Sequence, residues 1–303
     1  MILVTGCLGY IGNKIVRALL KEGYKVRGLV MKKQVKEADE LKELGMEVFI
    51  GDLLYEDSLT GIGEDIDIVF HLAGIHSSVK NMEELYVNGT KTLFRVLECS
   101  PVRLIIFSSN ASVYGSYIIN NTVMTEEAED LVIEHPFAEI TKNAEEVIKR
   151  EAGKNNVKYI ILRIGEVYGY NKYNLIKKAQ HPFSMLGNGE NYVSLIHIDD
   201  LINVLMLCID GLEEGVYNVC DSNPCVKKEL FRYVAKLSNK YEPVWLDTND
   251  IEERIMNSIH GLRMLSINMS NEKLCKRVGY KLLYKDYMEG LNSLLEYEGQ
   301  EKV

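Results

Sequence analysis

Thr5-Gly6-Cys7-Leu8-Gly9-Tyr10-Ile11-Gly12 follows directly on the apolar run at residues 2–4. It opens the segment 10–21, in which Ile11, Ile15, Ala18 and Leu19 recur at helical spacing. Glycine lets the chain turn tightly and lets its backbone approach a ligand. The helix start adds free N–H groups and a partial positive charge. Three glycines alone are weak evidence. Set between a strand and a helix, they read as a pyrophosphate-binding turn with Gly6, Leu8, Gly9, Tyr10, Ile11 and Gly12 as its contact residues.

Outward from this turn, residues 26–30 and 47–50 read as strands with a charged helix over 35–44 between them. Residues 66–70 and 104–107 add two strands, separated by a long helix over about 83–98. A helix over about 137–151 leads to a strand at 159–162. Strands of buried type alternating with helices predict a parallel, doubly wound sheet. After about Gly165 the alternation stops. The loop Leu186-Gly187-Asn188-Gly189, a strand at 194–198, a helix from Asp199 and a last helix near 284–298 read as a smaller mixed lobe. The expected class is α/β, a Rossmann-type doubly wound parallel sheet with a smaller mixed C-terminal substrate lobe. The expected division is 1–165 for the domain that carries the glycine turn and 166–303 for the lobe, with about 192–219 returning to pack on the first domain.

The chain has 303 residues, enough to bury a large core without disulfides or a structural metal. Lys plus Arg number 35 against 44 Asp plus Glu, for a net charge of −9. With no basic run longer than Lys32-Lys33 or Lys177-Lys178, nucleic acid is an unsuitable partner. Apolar runs such as 159–162 are too short to cross a membrane, and the N-terminal residues lack the pattern of a signal peptide. The six cysteines are irregularly spaced with no C-x-x-C, which predicts reduced thiols in a cytoplasmic protein. His71 and His76 have no nearby acid or cysteine at ligand spacing, so no metal is expected. The acidic run 126–130 reads as solvated surface.

Further motifs keep a fixed order: Gly51-Asp52-Leu53, His71-Leu72-Ala73-Gly74, Ser108-Ser109 leading to Val113-Tyr114-Gly115, Arg163 to Gly169, His197-Ile198-Asp199-Asp200, and Tyr217-Asn218-Val219. With the T-G-x-x-G-x-x-G turn they make the sequence resemble the extended short-chain dehydrogenase/reductase family, in its NAD-dependent epimerase/dehydratase group. The resemblance covers nearly the whole chain. It is specific for the family and not for a substrate. It implies NAD or NADP as cofactor, a small-molecule substrate such as a nucleotide sugar, and a homodimer packed through the helices near 83–98 and 137–151. It also extends the dinucleotide site to Met31 and Lys32, to Asp52 and Leu53 on the adenine side, and to Leu72, Ala73 and Gly74. Asp52 has a second reading as a helix N-cap. NAD enzymes place an acid at the end of the second strand. Here Met31-Lys32-Lys33 stand there, a slight tilt toward NADP that leaves NAD open.

The catalytic positions depart from the family. Its members use Ser or Thr, Tyr and Lys, with the tyrosine and lysine four apart on one helix face. Aligned on Pro136 and on Ala144-Glu145, the tyrosine position is Phe137 and the lysine position is Thr141. A shift of one residue restores Lys142 but leaves Ala138 for the tyrosine. The hydroxyl position is Asn110, flanked by Ser109 and Ser112, with Ser109 expected on the opposite side of the strand. Phenylalanine carries no proton, so the site reads as a degenerate triad. Tyr114, Tyr117, His135, Glu139 and Lys142 are the candidate replacement groups, each with an ordinary structural or solvated reading beside it. Phe137 also joins Ile140, Ala144, Val147 and Ile148 in an apolar stripe.

On the substrate side, the loop at 186–190 resembles the family's substrate loop, but Tyr192-Val193 carry no arginine where nucleotide-sugar members often have one. A pyrophosphate needs a positive partner. Arg232, Arg254 and Arg263 could take over, although each also reads as a surface residue. Glu166 stands where many members have Asn, and Trp245, the single tryptophan, reads as packing. Two functions remain. One is an NAD(P)-dependent oxidoreductase or epimerase/dehydratase acting on a nucleotide sugar or similar alcohol or ketone with an altered proton relay. The other is a catalytically impaired dinucleotide-binding sensor or partner subunit of the same fold.

Overall fold

The computed structural model describes residues 1–74, 78–119, 122–128, 133–171, 174–247 and 253–300, with backbone alone at 253–254 and 296–300. His76, residues 129–130 of the acidic run and the Arg254 side chain lie outside the description.

Six strands alternate with helices: β1 (Ile2–Thr5), β2 (Val26–Val30), β3 (Glu47–Ile50), β4 (Ile68–His71), β5 (Leu104–Asn110) and β6 (Lys158–Ile164). With the strand Gly215–Val219 they form a seven-stranded sheet in the order 215–219, β6, β5, β4, β1, β2, β3. The pairs β1–β2, β1–β4, β2–β3 and β4–β5 are parallel. The order reverses at β1, so the glycine turn leaves the sheet at its topological switch point, where open α/β sheets bind ligands. Burial follows from the order. The residues of β1 and β4 are all buried, whereas β3, at the edge, keeps Glu47 and Ile50 exposed.

The helices are α1 (Tyr10–Lys21), α2 (Asp39–Glu43), α3 (Val79–Glu83), α4 (Thr90–Leu97) and α5 (Pro136–Asn155). Two expected helices are subdivided. In place of one helix over 35–44, a 3-10 segment at Lys32–Ala38 precedes α2, whose first turn holds Asp39 and Glu40, favoured at a helix start. The helix expected near 83 begins at Val79, because the Ser78 side chain accepts the Asn81 N–H and caps it. A π-helical stretch, Glu84–Gly89, then separates α3 from α4. There the Thr90 hydroxyl donates to the Tyr86 carbonyl and competes with the regular ladder.

The chain divides into two compact units. The first comprises residues 1–109, 140–162 and 202–216; the second comprises 110–139, 163–201 and 217–303. Residues 110–139, inside the span expected for the dinucleotide-binding domain, group with the second unit. That unit holds three short strand pairs: Glu166–Tyr168 with Leu195–His197, Tyr192–Val193 with Cys225–Val226, and Ser184–Leu186 with Val244–Leu246. Its core gathers Tyr168, Leu195, Phe231 and Leu291.

Candidate active site

Gly6 lies at φ +70°, a backbone region that a side chain disfavours. A Cβ there would stand 2.7 Å from the Leu72 carbonyl oxygen and 2.8 Å from the Ala73 nitrogen. A Cβ on Gly12 would collide with the Gly6 carbonyl, and Gly9 donates its N–H to that same oxygen at 2.9 Å. Gly6 and Gly12 are therefore required by one tight turn, packed on the end of β4, and a Cβ on Gly9 would crowd the same Gly6 oxygen at 3.2 Å. Gly9 is the N-cap of α1 and supplies no side chain, and the first turn of α1 holds no acid. The helix start thus keeps its positive end available to an anion. This cradle fits the pyrophosphate of a dinucleotide, with Tyr10 and Ile11 as the first helical residues.

A buried relay holds the turn in place. The Thr90 hydroxyl donates to the Tyr86 carbonyl, so it accepts from His71 Nε2–H at 2.9 Å. His71 Nδ1 then accepts the Thr5 hydroxyl at 2.8 Å, and Thr5 Oγ1 accepts the Ala73 N–H at 3.2 Å. Every proton direction follows from the first bond. Burial lowers the His71 pKa to about 4, which keeps the ring neutral as the relay requires. In the sequence His71 stands only as part of the motif His71-Leu72-Ala73-Gly74, and nothing there links it to Thr5 and Thr90, which lie far apart in the chain.

Of the residues expected on the adenine side, Leu53 is buried and Asp52 is half-buried. Asp52 Oδ1 accepts the Leu54 N–H at 3.0 Å, while the next 3-10 helix, Glu56–Leu59, is N-capped by Tyr55. Asp52 therefore shapes a turn without capping a helix. Met31 is half-buried at the end of β2, and Lys32 and Lys33 are exposed. Leu72 and Ala73 are half-buried and Gly74 is exposed.

The positions that the resemblance assigns to the family's catalytic residues carry packing and caps. Phe137 and Thr141 are 2% and 1% exposed on α5. Lys142 lies 3.7 Å from both Glu145 and Glu146. Asn110 ends β5, and its Oδ1 accepts the Ser112 N–H at 2.8 Å, leaving the amide nitrogen as the group it can offer a ligand. Ser109 donates to Glu145 Oε1 at 2.6 Å in a buried pair.

Of the replacement proton donors, three are committed elsewhere. The Tyr114 hydroxyl donates to Asn218 at 3.0 Å and accepts from Arg163 at 2.5 Å. His135 directs Nε2 at the carbonyls of Met256 and Ser258, and its Nδ1 accepts the Phe137 N–H. Burial lowers the His135 pKa, against the pull of those carbonyls. Lys142 is ion-paired, and Glu139 is exposed. Tyr117 differs. It lines a cavity of about 650 Å³ with Ile119, Leu186, Asn191, Trp245 and Met264. Burial, then the Glu134 carboxylate, raises its phenol above the ordinary tyrosine range.

Trp245 is thus a cavity wall and not only packing. Gly189 of the glycine-rich loop lies so close to the indole that a Cβ would stand 2.6 Å from it. Of Tyr192-Val193, the stretch near which the resemblance expects an arginine, Val193 is 5% exposed. Arg232 and Arg263 are exposed. Among the described residues no group of three or more His, Cys, Asp or Glu is placed to hold a metal, and no helix is long and apolar enough to cross a membrane.

A doubly wound sheet with a glycine cradle at its switch point defines a dinucleotide-binding α/β protein of the short-chain dehydrogenase type. The model of the NAD dependent epimerase/dehydratase family matches residues 2–220, and the chain belongs to that family. It is 26% identical over 255 residues to an N-acetyl-alpha-D-glucosaminyl-diphospho-ditrans,octacis-undecaprenol 4-epimerase of Escherichia coli O157:H7, covering 80% of this chain and 73% of the relative. A crystal structure of UDP-glucose 4-epimerase with UDP-glucose from Thermotoga maritima shares the fold at a TM-score of 0.80, with 20% identity over 100% of this chain and 99% of the other. MoeE5 in complex with UDP-glucuronic acid and NAD shares it at 0.77, with 22% identity over 99% of each chain.

Proposed function

We propose that this protein is an NAD(P)-dependent oxidoreductase or epimerase/dehydratase that acts on a secondary alcohol or ketone, a sugar unit being the first candidate, with an altered proton relay. The observation that carries the reading is the cradle: Gly6 at φ +70° against Leu72 and Ala73, ahead of an uncapped, acid-free helix start. A bound nicotinamide dinucleotide would accept and return a hydride. Gly6, Gly9 and Gly12 would hold its pyrophosphate, with Leu8, Tyr10 and Ile11 beside it. Asp52, Leu53, Met31 and Lys32 would flank its adenosine, and Leu72 to Gly74 would border its course along the sheet edge. Lys32 and Lys33 could meet a 2′-phosphate and no acid stands at the end of β2, a slight tilt toward NADP that leaves NAD open.

Tyr117 takes the part of proton donor in this reading. It lines the cavity beside Trp245, and its raised pKa keeps it protonated until it hands its proton to the substrate oxygen. Asn110 positions that oxygen through its amide nitrogen. The relative from Escherichia coli carries an enzyme's name, which favours catalysis over the sensor reading. A homodimer through α4 and α5 and a cytoplasmic location complete the proposal.

The test is to denature purified protein, identify any released dinucleotide and its redox state, and titrate NAD, NADH, NADP and NADPH into cofactor-free protein. Saturable binding of one supports the reading. Binding of none removes both the cofactor and the reaction.

A further inference from the structure

Residues 280–290 belong to the second unit and run into its last helix, Tyr287–Gln300. Three buried acids hold this arm. Asp200, fully buried, accepts the Tyr280 hydroxyl and the Leu283 N–H at 2.8 Å and the Tyr284 N–H at 3.1 Å. Asp286, 7% exposed, caps the helix: its Oδ1 accepts the Met288 and Glu289 N–H groups at 3.0 Å. Asp221, 1% exposed, precedes Ser222, whose N–H donates to the Lys285 carbonyl at 2.9 Å. Its Oδ1 accepts the Asn223 N–H at 3.0 Å, whereas its Oδ2 is buried without a hydrogen-bond partner. The Tyr168 hydroxyl is buried without one too, and a Cβ added to Gly290 of the helix would collide with it. After burial, the charges of Asp221, Asp200 and Asp286 all act on that phenol and raise it.

A carboxylate is costly when it is taken from water and set beside others of its sign. Asp200 and Asp286 are each met by several donors. Asp221 keeps one oxygen that no described donor meets, so it is where a proton is best held. Burial raises its carboxyl to about 8; the Asn223 N–H opposes this, and the Asp286 and Asp200 charges add to it. Burial also raises Asp200, against its three donors. Other titratable groups face the same cluster. Burial and then the Asp221 charge push up the Cys220 and Cys225 thiols, and burial and then Asp200 push up Cys275. Burial, then the Cys225 and Glu229 charges, raises Tyr287 to about 12. The His197 ring packs edge-on against Tyr168 and Tyr284, and Lys285 pairs with Glu289 at 3.0 Å on the exposed side. We propose that Asp200, Asp221 and Asp286 form a proton-operated latch on the C-terminal arm: with one proton held at Asp221 the arm is closed on Tyr168, and loss of that proton frees it. Leu291 and Leu294 of the arm's helix belong to the core against which Trp245 packs, so the latch sets how firmly that wall of the cavity is held.

When the arm opens, Asp221 meets water and regains an ordinary value of about 4. Opening therefore releases a proton between about pH 4 and about 8, and its equilibrium constant rises ~10-fold per pH unit across that window. Hydrogen exchange read by mass spectrometry on peptides covering 280–290, from about pH 5 to about 7.5 and divided by the intrinsic rates, measures that constant. The arm should show this rise while the β1 and β4 amides stay protected. Asp221→Asn puts a fixed N–H in place of the proton, so it should abolish the dependence and keep the arm closed at about pH 8. Asp286→Asn retains the cap and removes one like charge, so its rise should level off at a lower pH. The latch is overturned if opening of the arm is independent of pH, if Asp221→Asn keeps the slope, or if the arm exchanges only together with β1 and β4. The wild-type series needs no substitution, so a variant that fails to fold leaves the test standing. No dinucleotide or substrate is added, so the outcome is separate from that of the proposed function.

Discussion

Replacing Gly6 with alanine tests whether the turn is as tightly determined as its geometry requires. An L-residue held in the left-handed region costs roughly 1–2 kcal/mol. The new Cβ would also stand 2.7–2.8 Å from the Leu72 carbonyl oxygen and from the Ala73 nitrogen and Cα. These are backbone atoms, tied to β4 and to the Thr5 hydroxyl, so neither side can yield freely. Relieving such a clash costs about 1–3 kcal/mol. The sum, about 2–5 kcal/mol, predicts a Tm lowered by roughly 5–15 °C. The turn must also shift, and each charge-assisted bond to a pyrophosphate that it loses is worth about 1.5–3 kcal/mol. Dinucleotide affinity should fall ~10–100-fold or more. Gly153→Ala is the control. Gly153 lies in α5 at an ordinary φ with nothing within 4 Å of an added Cβ, so alanine there should be neutral or stabilising by about 0.5–1 kcal/mol. Thermal melts and NADH-fluorescence titrations of both variants decide the matter. A Gly6→Ala protein that melts within about 1 °C of its parent and binds as tightly would refute the account of the turn.

Tyr117→Phe should cut turnover ~10²–10⁴-fold on any substrate that turns over, with dinucleotide affinity unchanged; an undiminished kcat would remove Tyr117 from the relay. His71→Ala should leave the Thr5 and Thr90 hydroxyls short of a buried partner and cost about 2–5 kcal/mol in denaturant melts. NMR titration of the wild type should show His71 neutral down to about pH 5, since its pKa lies at about 4. Asp221, 1% exposed, has its carboxyl raised to about 8 by burial, with the Asp286 and Asp200 charges adding to it. Its folded pKa exceeds its unfolded value, so the folded state holds the extra proton and stability falls as pH rises from about 4 to about 8. Asp221→Asn should flatten that part of the stability–pH curve, read from urea midpoints; an unchanged slope would assign it to other groups.

The sheet was legible because its strands are short apolar runs punctuated by a glycine turn and by helices of the right period. The turn was legible for the same local reason: all its glycines lie within one segment. The relay behind it was not, because Thr5, His71 and Thr90 come from three elements joined only in space. Helix boundaries failed where side chains compete with the backbone, as at Ser78 and Thr90. Trp245 looked like packing because its partners, Tyr117, Leu186 and Met264, are scattered along the chain.

With the family's tyrosine and lysine positions aligned on Pro136 and Ala144-Glu145, the packing of α5 would make the substituted triad a reallocation of roles and not a local vacancy. A tyrosine and lysine four apart on α5 would need at least one polar end free to meet a ligand. Here Phe137, Thr141, Ala144, Glu145 and Ile148 are all buried at 5% exposure or less. Glu145 is held there by the Ser109 hydroxyl, and the Phe137 ring packs against His135 at 5.3 Å between centres. Restoring Tyr and Lys would therefore place a hydroxyl and an ammonium among side chains already close-packed. Phe137→Tyr with Thr141→Lys should cost about 1–3 kcal/mol for overpacking, and more for the buried charge. A double variant that folds as stably as its parent and gains turnover would show that α5 still faces an open catalytic frame. A destabilised and inactive one would show that this face has become core, and that proton transfer, where it occurs, has passed to the loop that carries Tyr117.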